Sequence, residues 1–222
     1  MIAQRLEAVR QRIADACHRA GRPSSAVTLI AVTKGVPAER VREAVAAGVT
    51  DVGENRVQEA LQKQQALGMQ VHWHLIGHLQ RNKASVAARA FTMVHSVDSL
   101  ALAQVLDRHR HGTAAPLDVL MQVNVSGEPT KSGCHPEDAQ SLAAGVRALP
   151  HLRLCGLMTI APLGEDARPV FGTLREVRDR LQAQGFEGLK LSMGMSQDFE
   201  VAIEEGADFV RIGTAIFGAR DG

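Results

Sequence analysis

No tyrosine occurs anywhere in the 222-residue chain, and tryptophan occurs once. A phenol is thus unavailable as an acid or base from this chain. Cysteine is scarce as well: Cys17, Cys134 and Cys155 lie far apart without a CxxC spacing, which argues against a disulfide framework or a thiolate metal site and fits a reducing compartment. A cytoplasmic protein is expected. The N-terminal stretch MIAQRLEAVRQRIADACHRAG is charged throughout and lacks an apolar h-region, and no stretch approaches the ~20 apolar residues needed to span a bilayer. Neither export nor membrane insertion is expected. Excess charge is missing too: Lys+Arg 25 against Asp+Glu 24 gives a formal net charge of +1, so no broad electrostatic footprint recommends nucleic acid or an anionic membrane as partner. A small anionic ligand stays open, because charge can be arranged locally.

What the chain does have is alternation. Ile2, Leu6, Val9, Ile13 and Ala16 or Cys17 recur at helical spacing over 2–20, and Gly21-Arg22-Pro23 closes that helix. Short apolar or β-branched runs then take turns with longer amphipathic stretches. Strands are expected near 28–33, 50–53, 71–75, 92–95, 117–124, 152–157, 189–192 and 208–212. Helices are expected at about 38–47, 55–67, 79–89, 98–110, 136–148, 167–183 and 197–205, with a short turn after Gly213. This count, in one domain spanning 1–222 with no linker-like stretch, points to an α/β (β/α)8 TIM barrel with an extra N-terminal helix. A doubly wound open sheet is the alternative.

In such a barrel chemistry sits beyond the C-terminal strand ends, and the residues expected there are polar. Strand one ends in Thr33-Lys34, strand two in Gly53-Glu54-Asn55, and strand three in His74 through His78. Strand seven leads into Ser192-Met193-Gly194-Met195-Ser196, and strand eight into Arg211-Ile212-Gly213-Thr214. A lysine at the mouth, partly desolvated by Ile30 and Val32, is a nucleophile toward carbonyl groups, while elsewhere a strand-end lysine is simply solvated. The SMGMS and IGT loops each run into a helix, and amides at helix starts with Ser or Thr hydroxyls receive dianions; singly, either loop reads as a turn with an N-cap. Arg211, between Val210 and Ile212, demands an acceptor, which a salt bridge or a ligand could supply. His72, His74 and His78 lack a nearby Cys or carboxylate to complete a ligand set, so no metal is expected. Asn55 is either near a helix cap or within reach of the pocket.

Together, AVTKGVP, VGENRVQEA, HWHLIGHLQRNK, VNVSGEPTKSG, GLMTIAP and LSMGMSQDFEVAIEEGADFVRIGTAIFG resemble the pyridoxal phosphate homeostasis protein family, related to the alanine racemase N-terminal barrel. The resemblance runs through essentially the whole chain. It implies that pyridoxal 5'-phosphate is held as a Schiff base on Lys34, with Arg211 at the pyridine nitrogen. It implies a phosphate site at Ser192, Gly213 and Thr214, with Gly194 and Ser196 as further candidates. Asn55, His74 and Met193 would line the ring, and Lys131 would assist cofactor exchange. Many relatives carry tyrosine where this chain has Arg56. Racemases that resemble this fold take a second base, a tyrosine, from another domain; this chain has no tyrosine. The implied role is therefore a non-catalytic, monomeric, cytoplasmic binder that supports vitamin B6 homeostasis and passes cofactor to apo-enzymes. No catalytic residue is assigned. The alternatives are a cofactor-dependent amino-acid racemase or decarboxylase, and a cofactor-free Schiff-base aldolase.

Overall fold

Every strand among the described residues pairs in parallel with the strands next to it in sequence, and the first closes the ring on the eighth. A computed structural model describes residues 1–68 and 71–219. The strands are β1 (Thr28–Val32), β2 (Asp51–Glu54), β3 (His72–Leu75), β4 (Met93–Val97), β5 (Leu117–Gln122), β6 (Leu152–Met158), β7 (Lys190–Ser192) and β8 (Phe209–Ile212). Between them run α2 (Ala38–Ala46), α3 (Val57–Leu67), α4 (Ala84–Ala90), α5 (Leu100–Arg110), α6 (Ala139–Arg147), α7 (Arg168–Ala183) and α8 (Phe199–Glu204). Helix α1 (Ile2–Arg19) precedes the barrel and α9 (Thr214–Phe217) follows it. The closed ring rules out the open doubly wound sheet.

Side chains alternate along each strand, and here the alternation sorts residues into two cores. Ile30, Met93, Leu120, Met158 and Phe209 form a small apolar cluster within the barrel. The larger cluster, with Ala31, Val52, Leu191, Val210 and Ile212, fills the layer between strands and helices. Arg211 lies two residues from Phe209 on the same face, and its backbone pairs in register with Ile30.

Local chemistry shortens some expected elements. Strand β5 ends at Gln122, because Asn124 turns the chain: its Oδ1 accepts the Gly127 amide at 3.1 Å and its own amide reaches the Cys134 carbonyl. The helix expected from 79 begins at Ala84, after a 3-10 turn over Arg81–Lys83; Leu79 is buried from the loop. The helix expected from 197 begins at Phe199, because the Asp198 carboxylate folds back to accept the Met195 amide at 2.5 Å.

Helix α1 packs over α8 and α9, the helices behind the strand-seven and strand-eight loops. Arg12 forks onto Glu200 at 3.2 and 3.0 Å and lies 4.6 Å from the Phe199 ring centroid. Gly194 lets α8 approach: with φ +91° it sits where a Cβ would stand 2.5 Å from the Ala202 Cβ. Only glycine meets both demands without strain.

Candidate functional site

A cavity of about 490 Å³ opens at the C-terminal end of the barrel, lined by residues that follow β1, β2, β3, β6, β7 and β8. Lys34 stands in the turn directly after β1, which Gly35 at φ +69° and the Val36 amide to Thr33 carbonyl bond close. Its amine is half-buried and, among the described residues, makes neither an ion pair nor a hydrogen bond. Asn55 lines the cavity from the other side; it does not cap α3, whose N-cap is Arg56 without a side-chain cap bond. Ile76 and Ile160 supply apolar walls, and Pro162 through Glu165 form one rim.

Arg211 forms part of the floor. Its guanidinium is 3% exposed, donates to Ser192 Oγ at 2.7 Å and to the Thr159 carbonyl at 2.8 Å, and has no carboxylate within salt-bridge distance among the described residues. Burial pulls it down to about 10, against the opposing charge of Asp198, so it stays protonated at neutral pH. A buried cation held only by neutral acceptors favours an anionic or lone-pair partner. Beside it, the amides of Gly213 and Ala215 converge on Ser196 Oγ at 3.3 and 3.4 Å. Contacts that long are weak, which leaves both amides able to take a stronger acceptor such as an oxyanion.

Below Arg211 a chain of hydrogen bonds runs down the barrel. Ser192 Oγ meets His95 Nδ1 at 2.9 Å, His95 Nε2 meets His74 Nδ1 at 3.0 Å, and His74 Nε2 meets Asp51 Oδ1 at 2.9 Å. Burial first, then the charges of His74 and Arg211, hold His95 far below the usual imidazole value. It is neutral, with one ring N–H to give. With Arg211 donating to Ser192 and the Asp51 carboxylate accepting from His74 Nε2, a directed assignment fits the chain: Ser192 donates to His95, His95 to His74, and His74 to Asp51. Ser192 is left accepting from Arg211, so guanidinium and carboxylate cap opposite ends of an oriented chain.

The cavity thus gathers Lys34, Asn55, Ser196, Arg211, Gly213 and Thr214. Other expected residues stand outside its lining. Ser192 (0% exposed) and His74 (3%) face the barrel interior one layer down, sealed beneath Arg211. Met193, also 0% exposed, follows Ser192 and so points the other way, into the layer under the helices, rather than toward a ring in the cavity. Gly194 contributes its carbonyl to the Arg211 amide at 2.9 Å. Lys131 lies in the loop after β5, paired with Glu128 at 2.6 Å, and does not line the cavity. His72 and His74 both contact Asp51, at 3.3 and 2.9 Å, and among the described residues no His, Cys, Asp or Glu group has a metal-holding arrangement. The β6–α7 rim, Pro162-Leu163-Gly164-Glu165, escaped sequence reasoning. Its available signal was Leu163, an apolar residue between Pro and Gly that the structure leaves 81% exposed.

Comparison with known proteins gives a family. The family model described as "Alanine racemase, N-terminal domain" matches residues 4–221. A relative in Pseudomonas aeruginosa, described as "Pyridoxal phosphate homeostasis protein", is 52% identical over 99% of this chain and 96% of its own length. The structure of PipY from Synechococcus elongatus, described as having PLP bound, aligns with a TM-score of 0.85 at 41% identity, covering 98% of this chain and 100% of that one. An alanine racemase from Corynebacterium glutamicum aligns with a TM-score of 0.70 at 18% identity, covering 98% of this chain and 62% of that one, a likeness of fold.

Proposed function

Because the chain belongs to the alanine racemase N-terminal domain family and, within it, to the pyridoxal phosphate homeostasis proteins, we propose that it binds pyridoxal 5'-phosphate reversibly and supports vitamin B6 homeostasis without catalysing a reaction of its own. The observation that carries this reading is one cavity that gathers Lys34, whose amine is unpaired among the described residues, with the buried Arg211, which meets no carboxylate among them, and the weakly engaged amide of Gly213, beside that of Ala215. The residues present fit the cofactor: a nucleophile for its aldehyde, donors for its phosphate, and apolar walls at Ile76 and Ile160 for its ring.

When bound, the cofactor would supply an aldehyde able to condense reversibly with a primary amine, with release of water. Lys34 provides that amine. Ser196, Gly213 and Thr214 offer the phosphate donors, with Gly194 holding the strand from behind. Arg211, which can only donate, suits an unprotonated pyridine nitrogen, and that choice weakens the ring as an electron sink. Ser192 and His74 serve through the chain beneath Arg211, and Asn55 flanks Lys34. An open cavity in a one-domain barrel leaves water access, as release requires, and leaves one face of the site uncovered. The absence of any tyrosine removes the phenolic base that a racemase of this shape would recruit. Three free cysteines fit a cytoplasmic location, and no helix among the described residues is long and apolar enough to cross a membrane. The protein acts as a monomer that hands cofactor to apo-enzymes, with Lys131 on a neighbouring loop as an assisting amine.

Incubation with pyridoxal 5'-phosphate, borohydride reduction and peptide mass analysis tests the reading. Adduct is expected on Lys34 and none is expected in Lys34→Ala. Unchanged incorporation in that variant would count against it, and sustained amino-acid turnover above free cofactor would favour a racemase or decarboxylase.

A further inference from the structure

Behind the turn that carries Lys34 lies a buried group of charges that does not line the cavity. Glu54, the last residue of β2, is 0% exposed; Lys63, on α3, is 6% exposed; Glu59, one helical turn earlier, is partly buried. Lys63 Nζ donates to the Thr33 carbonyl at 2.5 Å, to Glu54 Oε1 at 2.6 Å and to Glu59 Oε1 at 2.8 Å. An ammonium has three N–H bonds, so these contacts saturate it. The same Glu59 oxygen accepts the Gly35 amide at 2.5 Å, and the Thr33 hydroxyl donates to Glu54 Oε1 at 2.5 Å.

The Thr33 carbonyl belongs to the peptide plane preceding the Lys34 Cα, and the Gly35 amide to the plane following it. Peptide planes are rigid, so with both planes tethered to α3 the two backbone torsions of Lys34 are fixed between them. Stability is a poor account of this arrangement. A buried carboxylate and a buried ammonium sit beside a partly buried second carboxylate, Glu54 Oε2 finds no partner among the described residues, and apolar side chains of like volume usually serve a fold as well or better. Burial also pushes the Glu54 carboxyl above its usual range despite the hydrogen bonds from Lys63 and Thr33.

We infer that Lys63 and Glu59 are positioning residues for Lys34, clamping its two flanking peptides so that the amine is held ready in the cavity. The inference rests on the reading that Lys34 carries the cofactor. It asks for a specific defect: loss of the clamp slows bond formation at Lys34 and spares recognition of phosphate and ring.

The full chain and three variants, Lys63→Met, Glu59→Ala and Glu59→Gln, test it with two ligands. Pyridoxal 5'-phosphate reports covalent attachment, followed as borohydride-trapped adduct against time. Pyridoxine 5'-phosphate, which carries an alcohol in place of the aldehyde, reports recognition alone through its dissociation constant. Lys63→Met and Glu59→Ala are expected to attach about tenfold more slowly or worse. Their affinity for pyridoxine 5'-phosphate is expected to stay within about twofold of the parent. Glu59→Gln, which keeps an acceptor for the Gly35 amide, is expected to recover most of the rate lost in Glu59→Ala. Parental attachment rates in Lys63→Met and Glu59→Ala, or attachment and pyridoxine 5'-phosphate binding falling in parallel, would overturn the inference. Should Lys63→Met not fold, the Glu59 pair decides, and equal rates in Glu59→Ala and Glu59→Gln overturn it. A parent that forms no adduct overturns the proposed function along with it, whereas a parent that forms adduct while the variants match it overturns the clamp alone.

Discussion

Asp51 anchors the far end of the chain that begins at Arg211. Burial alone would raise its carboxyl, yet hydrogen bonds from His74 and Thr50, with the charges of His74 and His72, bring it below the usual carboxylate value. A depressed folded-state value means that the ionised form stabilises the fold. That contribution is complete above the unfolded value and disappears as pH falls through the lower folded one. Asp51→Asn is therefore expected to lose about 1–2 kcal/mol near neutral pH, where a charged acceptor becomes neutral. Parent and variant are expected to converge once pH falls below the depressed folded-state value, where the parent carboxyl is protonated too. Urea midpoints for both proteins at several pH values check this, and a pH-independent gap would show that only shape matters there.

Where β7 meets α8, one glycine serves both packing and site. Gly194→Ala forces a side chain into φ +91° and into contact with the Ala202 Cβ at 2.5 Å. A loss of about 2–4 kcal/mol in urea unfolding is expected from strain and overpacking together. The Gly194 carbonyl holds the Arg211 amide, so the variant is also expected to bind pyridoxal 5'-phosphate more weakly. Elements of this kind differ in how plainly the sequence announces them. The strands were legible because β-branched runs such as TLIAV are bounded by turn residues. The β1–β8 pairing that closes the ring joins residues at opposite ends of the chain, and no local pattern encodes it. Lys34, Arg211, Gly213 and Thr214 could be singled out because strand ends in a barrel converge. Met193 shows the limit of reading a motif as a block: within SMGMS, period-two alternation turns it away from Ser192 toward the helices. Lys63 and Glu59 look like an ordinary i,i+4 surface pair on α3, and only the fold reveals that they close over Thr33 and Gly35.

At the scale of the whole molecule, the question is whether the N-terminal helix is an appendage or part of the barrel's coat. Its apolar face, Ile2, Leu6, Val9, Ile13, Ala16 and Cys17, is buried without exception and belongs to the same cluster as Phe199, Ile203 and Ile216. In the loop just past its end, Arg22 donates to the carbonyls of Ile203 and Ala207 at 3.2 and 2.8 Å and to Asp208 at 3.1 Å. These contacts reach across the chain to the segment that leads into β8 and Arg211. A helix so tied cannot melt on its own while the strand-eight end of the cavity stays in place. Leu6 is 0% exposed, so Leu6→Ala is expected to cost about 2–5 kcal/mol through lost contacts and a cavity. The way the variant unfolds separates the two views. Trp73, 1% exposed on β3, reports the barrel by fluorescence, and far-UV circular dichroism reports the helices. If α1 is integral, both signals shift to the same lower midpoint in Leu6→Ala, as one cooperative transition requires. An early helical transition with Trp73 fluorescence unchanged would mean that α1 detaches and that the barrel holds the site without it.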